Sequence, residues 1–135
     1  MIPSEGSLPP VAIEFASEEW AEEVVDRLDP RSPSLAQAER ARREIEGGQA
    51  VLDWKRCEAE GADGTNLPGC RKLYVPLGKQ GASDALYGFV FQLAQHADGS
   101  LAWNFLAFGE RHPNNPQTRS VYERAHKRLH GHYPS

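Results

Sequence analysis

Two apolar runs, Leu86–Gln95 and Leu101–Phe108, are separated only by His96-Ala97-Asp98-Gly99-Ser100. Asp-Gly between two such runs is a hairpin signal, because glycine readily supplies the positive φ of a tight turn. Both faces of both predicted strands are largely apolar. A strand of that kind has to be covered on both sides, so the pair belongs in the middle of a sheet. The rest of the chain must be arranged around this hairpin.

Upstream, Val11, Ile13 and Phe15 alternate with Ala12, Glu14 and Ala16, which is a short strand by its period of two. Ser17 is placed as the cap of a helix with Glu18 and Glu19 in its first turn. Trp20, Val24, Val25 and Leu28 are read as its apolar face, and Asp29-Pro30 breaks it. Ser32-Pro33 starts a second helix with proline at the first helical position. Leu35, Ala38, Ala41 or Arg42, and Ile45 form its stripe, and Gly47-Gly48 ends it. Ala50–Arg56 and Cys70–Val75 read as strands. Along the second of these, Arg71, Leu73 and Val75 share one face, and Lys72 and Tyr74 share the other. The final helix, about Thr118–His130, buries Val121, Ala125 and Leu129, with Tyr122 near the edge of that face. The order is strand, helix, helix, four strands, helix. It predicts one α+β domain over residues 11–135, with two N-terminal helices and a C-terminal helix packed on a small antiparallel-rich sheet.

The chain has 135 residues, 39% hydrophobic and 25% charged, enough for one real core and ordinary for a globular protein. No apolar run approaches the ~20 residues that span a bilayer. Residues 1–10 lack a basic n-region and an apolar h-region, so they read as a flexible leader, and the expected compartment is the cytoplasm. Cys57 and Cys70 fit no metal-ligand pattern. They are read as reduced thiols, with a bridge open if their strands are neighbours. Trp20, Trp54 and Trp103 are assigned to the core. The glycines at 61 and 64 are no phosphate loop, since no Gly-Lys-Ser/Thr follows.

The net charge of −4 conceals a polarity. Residues 1–66 carry 15 acids and seven Lys/Arg. Residues 67–135 carry four acids, eight Lys/Arg and all five histidines. A basic half of this kind either faces nucleic acid or simply solvates helices. Its chemistry concentrates between Leu101 and His130, where an apolar strand ends in Gly109-Glu110-Arg111-His112 and leads through a Pro/Asn turn to a basic helix. Arg111 offers a planar fork for phosphate oxygens, and Lys72 adds a point charge. Cations beside Tyr122 favour its phenolate, which would serve as the base for a ribose 2′-OH. Attack of that oxygen on the adjacent phosphate cleaves RNA without a metal, and the cations stabilise the developing charge.

At these residues the chain resembles the RelE/ParE toxin superfamily. The strand–hairpin–strand ending in Gly-Glu-Arg, followed by Ser-Val-Tyr-Glu-Arg-Ala-His-Lys-Arg-Leu, is similar to the RelE branch. Leu67–Leu73 and Leu86–Leu93 are similar to the two strands that precede it, and Val11–Leu28 matches in pattern only. The resemblance implies the toxin of a toxin–antitoxin pair, a metal-independent endoribonuclease that cleaves mRNA in the ribosomal decoding site. It implies Arg111 as the transition-state arginine, Tyr122 as the C-terminal tyrosine, and Lys72 as the first lysine of the basic strand. Tyr74 stands where the family has a second lysine, and Gly88 where it has an arginine. Arg71 and Lys79 are candidates to restore charge, and His112 to act as general acid. Arg119, His126, Lys127, Arg128 and His130 form an expected cationic rim toward RNA, and Tyr74 a surface for base stacking.

His126 and His130 have the i,i+4 spacing that suits zinc, but no acidic or cysteine third ligand stands nearby in sequence, so neither metal nor cofactor is expected. The expected partners are a cognate antitoxin over the basic half, mRNA and the ribosome, with no membrane and a monomeric toxin. Two other readings remain. One is a non-enzymatic gyrase inhibitor like the ParE branch, which lacks the Arg111–Tyr122 pair. The other is a non-toxic RelE-fold protein that only binds a partner.

Overall fold

The computed structural model describes residues 12–28, 31, 33–46, 55–57, 64–75, 87–113 and 117–134. The leader at 1–10, the Asp29-Pro30 break, Gly47-Gly48, Trp54 and Lys79 lie outside them. β4 (Tyr87–Gln95) and β5 (Leu101–Glu110) are the long hairpin. Its turn closes through His96 N–H to the Ser100 carbonyl at 2.8 Å, with Gly99 at φ +90° and the Asp98 carboxylate accepting from the Ser100 amide. β3 (Cys70–Val75) and β2 (Lys55–Arg56) extend the sheet on one side, both antiparallel. β1 (Ala12–Glu14) runs parallel to β5 on the other. The order is β1-β5-β4-β3-β2, with the hairpin inside, as its two apolar faces require.

One face of the sheet carries α1 (Ser17–Trp20), which runs into a π-helical turn (Ala21–Val25), and α2 (Pro33–Glu46). Between them lies an aromatic cluster of Phe15, Trp20, Phe89, Phe91, Trp103, Phe105 and Phe108, joined by Val24, Ala38, Ile45 and Leu73. Phe15 is in ring contact with Trp20, Phe89, Phe91 and Phe105 at 5.2–6.1 Å, mostly edge to face, the geometry ring quadrupoles favour. The other face carries α3 (Val121–His130) over Cys57, Leu67, Cys70, Val90, Leu106 and Ala107. Ser120 and Glu123 close a reciprocal capping box at its start, and Gly131 ends it at φ +87°.

Two expectations about the first helix are corrected. Ala16, not Ser17, is the extended residue before the helix, and no side chain caps it. Val25 does not join the apolar face: it is 43% exposed, while Glu23 is 2% exposed. In the π turn the Asp26 amide bonds back to the Ala21 carbonyl, five residues away. The wider turn changes which side chains meet the sheet.

Cys57, just past the end of β2, does lie beside Cys70 at the start of β3, with the Cys57 amide donating to the Cys70 carbonyl at 3.1 Å. Both thiols are free and buried. Burial pushes the Cys57 thiol up to about 11 and Cys70 higher still, so both are neutral and unreactive at ordinary pH.

Candidate functional site

Strand register decides what Arg111 meets. Simple alternation from Phe105 would place Ala107, Gly109 and Arg111 together on the face of α1 and α2. β5 instead carries a bulge: Phe91 pairs with Phe105 and the next residue, Val90, with Ala107, leaving Leu106 as the extra residue. Leu106 and Ala107 both join the α3 side, and Phe108 returns to the aromatic cluster. The bulge thereby moves Arg111 onto the face of α3 and leaves Glu110 opposite Tyr87 on the other.

There Arg111 Nε donates to the Tyr122 hydroxyl oxygen at 3.1 Å. Its guanidinium carbon lies 3.7 Å from the centre of the Tyr74 ring. Lys72 Nζ stands 5.2 Å from the Tyr122 ring centre and 5.8 Å from that of Tyr74. His112 is exposed, its ring 6.3 Å from the Tyr122 ring. Lys72, Tyr74, Arg111, His112 and Tyr122 therefore form one cluster of two cations, two phenols and an imidazole, all partly exposed except His112, which is open to solvent. Gly88 pairs with Tyr74 in the ladder, and a Cβ built there would touch the Arg111 stem at 3.5 Å. The missing side chain leaves the shelf on which Arg111 lies back toward Tyr74.

The remaining candidates are placed differently. Arg71 is 3% exposed on the opposite face of β3, with its guanidinium over the Trp103 ring at 5.7 Å, so it lies outside the cluster. Arg128 is not part of a free rim: it pairs with Glu22 and Glu23 at 3.0 Å and with Glu19 at 3.8 Å. His126 is 6% exposed, and its Nδ1 accepts the Asn66 amide at 3.0 Å. His130 turns Nε2 to the Asn66 carbonyl at 2.9 Å. Arg119 pairs with Glu123 and packs over Tyr133, and Lys127 is exposed above the same ring. Among the described residues no group of three or more His, Cys, Asp or Glu side chains is arranged to hold a metal ion.

Glu23 and Arg124 were not expected to matter. β1 parts from β5 after Asn104, which leaves the Phe108 amide and carbonyl facing the π turn. The Glu23 carboxylate accepts from the Phe108 amide at 3.1 Å, and Arg27 donates to the Phe108 carbonyl. Arg124 then binds both Glu23 oxygens, at 2.9 and 2.7 Å, and Arg128 one of them. Burial alone pushes the Glu23 carboxyl up. Bonds and charge from Arg124, with the Phe108 amide and Arg128, outweigh it and hold the carboxyl below its ordinary range. The signal in the sequence was the acidic helix, whose partner is the basic one. A cleft of about 650 Å³ opens beside this network, but its arginines, Arg42 and Arg128, are already paired with Glu46 and with Glu19, Glu22 and Glu23.

No protein-family model, curated protein or solved structure matches the chain. Among the described residues, no helix is long and apolar enough to cross a membrane.

Proposed function

We propose that the protein is a RelE-like toxin of a toxin–antitoxin pair, an endoribonuclease that cleaves mRNA, with the ribosome as the setting and a cognate antitoxin as its partner. The observation that carries this reading is Arg111, stacked on Tyr74, bonded to the Tyr122 oxygen and flanked by Lys72. Arg111 and Lys72 hold the scissile phosphate and take up the charge that develops on it. Tyr122 removes the ribose 2′-OH proton, O2′ attacks phosphorus, and the P–O5′ bond breaks. His112 returns a proton to the leaving 5′ oxygen. The products are a 2′,3′-cyclic phosphate and a 5′-hydroxyl, and the reaction needs no metal.

The test is expression of wild type, Arg111→Ala and Tyr122→Phe in a bacterium, with mapping of mRNA 5′ ends. Wild type is expected to arrest growth and create codon-phased ends, and each variant to lose about 10²-fold or more of the cleavage. Arrest without new ends overturns the nuclease reading and points to the gyrase-inhibitor branch. A second reading, a non-toxic partner-binding protein of the same fold, is favoured by the burial of Arg71 and the pairing of Arg128, which thin the positive surface. Unimpaired growth with wild type would select it.

A further inference from the structure

Two histidines one turn apart on α3 hold both backbone groups of a single residue. His126 Nδ1 accepts the Asn66 N–H, and His130 Nε2 meets the Asn66 carbonyl. The first bond fixes the His126 proton on Nε2, and the second requires a proton on His130 Nε2. His132 completes a cluster in which ring centres are separated by 4.4 Å (126 to 130), 5.5 Å (126 to 132) and 6.4 Å (130 to 132). Asn66 lies in a segment with a glycine in the left-handed conformation at each end: Gly64 at φ +85° and Gly69 at φ +70°. Inside it Thr65 and Leu67 are buried, and the Pro68 carbonyl accepts from the Gln92 side chain. The segment delivers the chain into β3.

We propose that His126, with His130 and His132, is an acid-released latch on residues 64–69. A proton added at His126 Nδ1 turns an acceptor into a donor facing the Asn66 N–H, so that bond is lost. His130 keeps its donor when protonated, which makes His126 the sensing ring. Ring contacts put His130 and His132 beside it, the segment contributes the uncharged Thr65 and Asn66, and the face of the sheet under α3 carries the neutral Cys70 thiol and Lys72, with the neutral Cys57 thiol beside them. Lys72 and Tyr74 follow two and four residues into β3, so release loosens the support of the Arg111–Tyr122 cluster. That last consequence rests on the nuclease reading; the latch itself does not.

The experiment is amide hydrogen exchange of the full chain at about pH 7.5 and 5.5, on either side of the ordinary histidine value near ~6.5, corrected for intrinsic rates. Protection of the Asn66 amide is expected to fall about tenfold at the lower pH, while β4 and β5 amides keep theirs. In His126→Asn, whose amide oxygen stands where Nδ1 does but does not titrate, Asn66 protection is expected to stay constant. Unchanged wild-type protection, or an equal loss in His126→Asn, overturns the latch. If the variant does not fold, the ring nitrogen shifts of wild type decide. A Nε2–H tautomer at pH 7.5 that converts as the Asn66 amide shifts supports the latch, and a Nδ1–H tautomer overturns it. RNA cleavage is not read in this assay, so a failed latch and a failed nuclease assignment are told apart.

Discussion

At the scale of single residues, Tyr74 and Gly88 explain each other. They are register partners on adjacent strands, and they are the two positions where the RelE resemblance implies basic side chains. A ring at 74 gives the Arg111 guanidinium a flat surface at 3.7 Å, and glycine at 88 leaves room for the arginine stem to reach it. Cation–π contact of this kind contributes about 0.5–1 kcal/mol at exposed sites and more when water is excluded. Alanine at 88 meets only ordinary contacts, 3.5 Å from the Arg111 Cγ and from the Leu73 carbonyl oxygen. Gly88→Ala is therefore expected to leave unfolding temperature and activity unchanged. Gly88→Arg puts a second guanidinium on the same shelf. It is expected to retain the fold and displace Arg111 and, if the protein is the nuclease proposed above, to slow single-turnover cleavage of an RNA oligonucleotide at least about tenfold, the scale of a misplaced catalytic group. Faster cleavage by that variant would mean that charge at 88 is what the site lacks, and that the shelf is not needed.

At the scale of elements, the described framework was legible because its signals are local. Alternation and turn chemistry gave β3 its bounds and placed β4 and β5 inside the sheet, and Ser32-Pro33 gave α2 its start. The bulge at Leu106 was not legible, since nothing in Phe105-Leu106-Ala107-Phe108 distinguishes an extra residue from an alternating strand. Yet the bulge decides that Arg111 meets Tyr122. The π turn was hidden for the same reason, and with it the inward swing of Glu23. The opposed charges of the first and last helices were visible, but not that they meet. Glu23 joins the π turn, the open edge of β5 and α3 through Phe108, Arg124 and Arg128. Glu23→Gln keeps the shape and loses the charge, leaving two partly buried guanidinium groups short of a partner. A loss of about 3 kcal/mol in urea unfolding is expected, at the lower end for one member of a buried pair. The pH dependence has a definite sign. The folded carboxyl sits below its ordinary value of 4.5, so its contribution is complete above about pH 4.5 and fades as pH falls through the folded value. Wild type should therefore lose stability in acid more steeply than Glu23→Gln, and equal acid limbs would count against the network.

At the scale of the whole molecule, part of the division into an acidic and a basic half is used inside the fold. Glu19, Glu22 and Glu23 face Arg124 and Arg128, which ties the first helix to the last across the edge of the sheet. Arg71 lies beneath the sheet with Trp103. Among the described Lys/Arg of the C-terminal half, those at or near the cluster are Lys72 and Arg111, with Lys127 beyond it. Binding to single-stranded RNA releases counterions in proportion to the phosphates neutralised, with a slope near −0.7 for each. Three cations give a slope of about −2 for log K against log salt. A protein that used all eight Lys/Arg of its C-terminal half would show a slope nearer about −5 to −6. Titration of a fluorescent RNA between about 50 and 200 mM salt separates the two, since the first loses only about 16-fold in affinity and the second more than about 10³-fold. The shallow slope is expected. If the protein is the nuclease proposed above, three cations at or near the cluster gain it little affinity for free RNA from charge alone. It would depend on a scaffold such as the ribosome to present the strand to Arg111 and Tyr122. Adding ribosomes should then lower KM for mRNA far more than it raises kcat.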